Sequence, residues 1–130
     1  MPASYRFLTH SVQIDVQGVL TVPEVLQAIQ GIIQDPQAHQ GIDLICDLRD
    51  ANAEAVVTNK IRPGAEPIAR LLPFFNNRIH LVVSTTVQFG FTRMYQIYSS
   101  DYGVDVLIYK SIEEAYQSLK EPCEQKSKTA

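Results

Sequence analysis

A chain of 130 residues, 45% apolar and 19% charged, is the size of one domain and can bury a single core. Eleven basic against 14 acidic residues leave a net charge of −3; with no basic stripe to neutralise phosphates, nucleic acid is not an expected partner. The opening MPASYRFLTH has no charged stretch followed by an apolar one, and no apolar run is long enough for a bilayer, so neither a signal peptide nor a membrane span is expected.

Two strands lead the chain. Tyr5 to Leu8 is the first and Val12 to Gly18 the second, with Thr9-His10-Ser11 as the break of an antiparallel hairpin. In the second, Val12, Ile14 and Val16 face one way and Gln13, Asp15 and Gln17 the other, the pattern of a sheet with one wet face. Thr21 and Glu24 form the S/T-x-x-E signature of a helix start, with Pro23 in the first turn where its missing N–H does no harm. Val22, Val25, Leu26, Ile29 and Ile33 then recur at helical spacing until Asp35-Pro36 stops the helix.

Asp43 to Leu48 reads as a buried central strand, with Asp47, Arg49 and Asp50 at its exit. The stretch that follows is punctuated by Pro63, Gly64, Pro67 and Pro73. It is expected to run as a loop through Asn59 and then as a helix from about Arg62 to Leu72, interrupted or shifted near Pro67, with Ile68, Leu71 and Leu72 inward. Arg78 to Ser84 is the fourth strand. Thr85 or Thr86 starts a helix on which Val87, Phe91, Met94 and Tyr98 form an apolar stripe, continued alongside by Tyr95 and Tyr102, and Gly103 ends it. Val104 to Tyr109 is the fifth strand. Ser111 and Glu114 open a last helix with Ile112, Ala115, Tyr116 and Leu119 inward. The domain spans residues 1–120, and 121–130 reads as a flexible polar tail. The order β-β-α-β-α-β-α-β-α implies a five-stranded, mostly parallel mixed sheet with four helices and one antiparallel edge.

The polar exit Asp47, Arg49 and Asp50 is the first site candidate. Parallel strands deliver their ligand-binding groups at this end, and the planar Arg49 fork suits a carboxylate or phosphate. The plainer alternative is an internal ion pair that holds the turn. Arg93 is second: it either reaches Asp47 or Asp50 across the sheet edge or lays its stem over neighbouring aromatics. The aromatic helix is third. Tyr95 and Tyr98 either belong to the core or line an apolar pocket or contact face, since tyrosines need an outlet for their hydroxyls. The three histidines stand apart, Cys46 and Cys123 form no metal-spacing pair, and no nucleophile elbow or phosphate loop occurs. Neither a metal nor a cofactor is expected. Cys46, inside an apolar run, reads as a buried thiol in a reduced, cytoplasmic setting.

The leading hairpin, the threonine-capped first helix and the apolar strand ending in Asp47-Leu48-Arg49-Asp50-Ala51 resemble the small STAS-like domains. These form the tails of sulphate transporters and the antagonists of anti-sigma factors. Phe89-Gly90-Phe91-Thr92-Arg93-Met94-Tyr95 extends the likeness to a group of small uncharacterised bacterial proteins. The resemblance implies a STAS-like fold and a non-enzymatic regulatory or protein-interaction module, with a protein partner or self-association as a dimer. The serine of the antagonists' phosphorylated turn has no counterpart: Ala51 to Asn59 contains only Thr58 as a hydroxyl. The alternative function is a small-molecule or lipid-binding domain with an apolar pocket beside helix 87–102.

Overall fold

The computed structural model describes residues 3–52 and 61–121. Five strands, β1 (Ala3–Phe7), β2 (Ser11–Val19), β3 (Asp43–Asn52), β4 (Arg78–Val82) and β5 (Asp105–Tyr109), form one sheet in sequential order. β1 is antiparallel to β2 and every later pairing is parallel. The helices are α1 (Val22–Gln34), α2 (Ile61–Leu71), α3 (Thr86–Ser100) and α4 (Ile112–Ser118), with a 3₁₀ turn, Leu72–Phe75, after α2. This is the single α/β domain expected, and its element order is the expected one. The loop expected through Asn59 falls largely on residues 53–60, outside the described residues.

Strand order explains how the layers are distributed. Each parallel strand lies next to its predecessor, always on the same side, and crossovers between parallel strands share one hand. Three such crossovers stack α1, α2 and α3 on one face of the sheet. The main core is therefore on that face, where Ile14, Leu44, Ile79 and Leu81 meet Ile29, Ile32, Ala65 and Ile68. Only the short α4 covers the other face, packing Ile112, Ala115 and Tyr116 on Ile45 and Val82. Glu121 follows it and is buried: its carboxylate accepts hydrogen bonds from the amides of Thr9 and His10 and the hydroxyl of Ser11.

Local chemistry sets the helix starts. Thr21 and Ser111 each accept the backbone N–H three residues on, as expected. The fully reciprocal capping box is at Thr85 and Gln88, with glutamine in the third position. α2 continues through Pro67 and ends in the 3₁₀ turn; Asn76 and Asn77 then take left-handed conformations that lead into β4.

The inward face of α3 differs from the expected one. Val87, Phe91, Met94 and Tyr98 were the expected core stripe, yet the buried residues are Gln88, Thr92, Tyr95 and Ser99. Phe91, Met94 and Tyr98 are half-buried at the flank of the core, and Val87 is exposed. The polar residues can lie inward because Gln88 is saturated with backbone partners and Thr92 donates to the carbonyl of Phe89. α1 is turned in the opposite sense, burying Ala28 and Ile32 beside Val25 and Ile29 while Val22, Leu26 and Ile33 are half-buried.

Candidate functional site

β3 carries two chemistries on its two faces, because successive side chains alternate. Cys46 and Leu48 point toward the three helices, whereas Ile45 packs toward α4 on the opposite side. Beyond Asp47 the ladder shifts: Asp15 pairs with Asp47 but Gln17 pairs with Asp50, so β3 spends three residues where β2 spends two. This bulge leaves Arg49 and Asp50 exposed together while Leu48 and Ala51 both stay buried.

The polar face is closed on itself. Arg49 grips Asp47 through two parallel hydrogen bonds, Nε to Oδ1 at 2.9 Å and Nη2 to Oδ2 at 2.8 Å, and its backbone N–H also donates to Oδ1. That hydrogen bonding raises the pKa of the guanidinium further. Nearby, Tyr116 donates to Gln13, Gln13 donates to Asp15, and Arg6 pairs with Asp15. Asp47 and Arg49 thus form the clasp foreseen as the plainer alternative. Arg93 does not join them: it is exposed and donates to Gln96, which in turn holds the carbonyl of Val106 in β5.

What reaches the exit of β3 from the aromatic helix is Gln88. Its Oε1 accepts the amides of Ser84 and Thr85, and its Nε2 donates to the carbonyls of Arg49 and Ala51. It therefore ties the start of α3 to the bulge. The cue was available in the T-x-x-Q spacing of Thr85 and Gln88, although nothing in the sequence revealed the carbonyl partners.

The other face holds a cavity of about 570 Å³ between the sheet and the three helices. Cys46, Leu48, Ile79 and Leu81 form its floor on the sheet. α1 supplies Val22, Pro23 and Val25; α2 supplies Ile61, Pro63, Gly64, Pro67 and Ile68; α3 supplies Phe91 and Tyr95. The exposed Val19 stands at the rim. Gly64 lets α2 approach α1, since a Cβ there would come within 2.6 Å of Val22 Cγ2. Of the expected site residues, Tyr95 is in the wall; Tyr98 is half-buried, packed against the main core.

Two wall residues carry protons, and both are held neutral. Burial first, and the negative charges of Asp47 and Asp15 next, push the Cys46 thiol up to about 12. The thiol is thus a packing group and not a thiolate nucleophile. Burial likewise pushes the Tyr95 phenol up to about 12. Tyr95 is 8% exposed, and its hydroxyl has no hydrogen-bond partner. Ser99 lies close enough to ease the phenol's ionisation, but neither hydroxyl is in bonding geometry with the other. Among the described residues no group of acidic, histidine or cysteine side chains could hold a metal, and no helix is long and apolar enough to cross a membrane.

No protein-family model and no curated protein matches this chain. Among solved structures, it resembles an uncharacterised protein of the DUF3478 family from Shewanella loihica PV-4, described as having a SpoIIAA-like fold. The match has a TM-score of 0.55 and covers 90% of this chain and 91% of that one, at 10% sequence identity. The fold is SpoIIAA-like, that is, STAS-like. At that identity the SpoIIAA-like likeness speaks for architecture alone. It bears out the STAS-like fold expected from the DLRDA strand and the FGFTRMY helix.

Proposed function

We propose that this SpoIIAA-like domain binds a small, mainly apolar molecule between its sheet and helices α1, α2 and α3. The observation that carries this reading is the cavity itself. About 570 Å³ lies within the range of ligand pockets, and among the described residues its walls are almost wholly aliphatic and aromatic. Sealed and empty, a void of that size would destabilise a domain by on the order of 10 kcal/mol, comparable to the stability of a whole domain. With an open rim it fills instead, and an apolar occupant fits such walls better than water, which would lack hydrogen-bond partners. The domain acts by binding and not by catalysis: the acids that could have formed an acid–base pair are divided between a clasp (Asp47 with Arg49) and open solvent (Asp50).

Native mass spectrometry of the protein as purified tests this reading. The expected spectrum contains an adduct that organic extraction removes, with a fall in Tm that the extract reverses. A clean apo mass, together with an unchanged Tm across a panel of apolar compounds, would refute it.

A second reading, a contact surface for a protein or a second copy, draws support from Val87, Phe89, Ile97 and Tyr102, large apolar side chains left exposed on and after α3. Ile97, at 58% exposure, is the most open. Light scattering distinguishes this reading: association that Ile97→Lys abolishes supports it, and a monomer at all concentrations opposes self-association.

A further inference from the structure

We propose that the outward face of α3 receives a second copy of this chain, packed antiparallel about a twofold axis at Ile97, so that each copy's Arg93 meets the partner's Asp101. This rests on the contact-surface reading above and adds the partner and the register.

The face follows from what α3 turns inward. Gln88, Thr92, Tyr95 and Ser99 are buried. At about 100° per residue, the direction opposite to them carries Gly90, Arg93, Ile97 and Asp101. All four are exposed. A Cβ built on Gly90 would meet nothing within 4 Å, so the face is open there too. Val87, exposed, and Met94, half-buried, extend the apolar surface along one side. Ile97 thus stands at the crest of a surface helix, where patterning ordinarily puts a polar residue.

Charge selects the partner. Arg93 and Asp101 are the only charged residues between Thr86 and Tyr102. They lie four residues to either side of Ile97, about 6 Å along the axis each way, and are too far apart to pair within one helix. Among the described residues neither meets an opposite charge: Arg93 donates to the neutral Gln96, and Asp101 enters no salt bridge. In an antiparallel pair with Ile97 on the twofold axis, Arg93 faces the partner's Asp101 and Asp101 faces the partner's Arg93. Two ion pairs then flank a contact between the two Ile97 side chains. A parallel pair would set arginine on arginine and aspartate on aspartate. A twofold axis one turn nearer Gly90 would bring the two arginines together, and like charges oppose both arrangements. The register that matches the charges is therefore also the one that buries the most open apolar side chain at the centre. A contact confined to one helix from each copy falls short of the about 1,600 Å² of a standard interface, so a Kd on the order of 10–100 μM is expected.

Sedimentation equilibrium up to about 1 mM tests this on the full-length protein, Arg93→Asp, Asp101→Arg and the doubly reversed chain. The wild type is expected to dimerise, and each single reversal to weaken association at least about tenfold. The double reversal restores both ion pairs with the charges exchanged, and is expected to return to within about threefold of the wild type. A second readout locates the axis. Ile97→Cys in a Cys123→Ser background is expected to form a covalent dimer with a short bis-maleimide, whereas the exposed Ser4→Cys on β1 forms none. If Ile97→Lys abolishes association but the double reversal does not restore it, or Ile97→Cys does not cross-link, the antiparallel register is overturned and the contact reading survives. If the protein is monomeric at every concentration, or associates equally well as Ile97→Lys, self-association through this face falls as well.

Discussion

The side-chain nitrogen of Gln88 lies 3.0 Å from the carbonyl oxygen of Ala51, across the gap between α3 and the bulged end of β3. With its bonds to Arg49, Ser84 and Thr85, one glutamine satisfies four backbone groups at the carboxyl edge of the sheet. Gln88→Leu keeps comparable bulk but leaves those groups unbonded. It is expected to destabilise the fold by about 2–4 kcal/mol, read as a drop in the urea midpoint at unchanged m. A loss below about 0.5 kcal/mol would show that water replaces the glutamine freely.

Gly64 and Val22 define how closely α2 approaches α1 at the cavity rim. Gly64→Ala drives a methyl into Val22, so α2 or the Val22 side chain must shift; a loss of about 1–3 kcal/mol is expected, together with altered uptake of apolar probes. Val22→Ala in the same chain is expected to restore most of the stability, a coupling that a double-mutant cycle measures directly. Additive losses would mean that α2 does not rest on Val22.

His80 is 2% exposed, stacked on Tyr109 and hydrogen-bonded to its hydroxyl through Nδ1, while Nε2 has no partner and lies 4.0 Å from Asp43. Burial lowers its pKa and Arg78 adds to the effect, while Asp43 and Asp105 oppose it. A depressed histidine pKa means that the unfolded chain takes up the proton first. Stability is thus full above the unfolded value of about 6.5, falls as pH drops through it, and levels off below the folded value. Urea midpoints at several pH values between about 5 and 8 are expected to show a steeper acid-side decline for the wild type than for His80→Leu. Parallel curves would exclude His80 as the cause.

Asp47 and Arg49 lie on the face away from the cavity, in a pair whose arginine is well exposed. Asp47→Asn is expected to lower stability by about 1 kcal/mol and to leave the affinity for butylbenzene unchanged. If binding is lost with the fold intact, the ligand site belongs at the polar exit of β3.

How much of this was legible follows from where the signals reside. Helix starts are local, so the Thr21 cap and the Asp43 strand could be read directly, whereas the wet face expected of β2 is covered at Gln13, which is fully buried and accepts the hydroxyl of Tyr116 from α4. The inward face of α3 could not, because beside Tyr95 its buried positions are the polar Gln88, Thr92 and Ser99, and hydropathy cannot show that Gln88 and Thr92 will find backbone partners. The same holds for Asp47 and Arg49: the DLRD exit looked like a site, and only the bulge and the sheet faces reveal the internal pair opposite the cavity. The cavity depends on the spacing of three helices above the sheet, which sequence periodicity does not encode. Tyr95, alone among the expected site residues, lies in its wall.

The most direct measurement of the central claim is a methyl- and amide-detected NMR titration with butylbenzene. Binding in the cavity predicts saturable shifts concentrated at Leu48, Ile68, Ile79, Leu81, Phe91 and Tyr95, with the polar face of Asp15, Asp47 and Arg49 unmoved. Shifts that are absent, that never saturate, or that cluster on the polar face would contradict it.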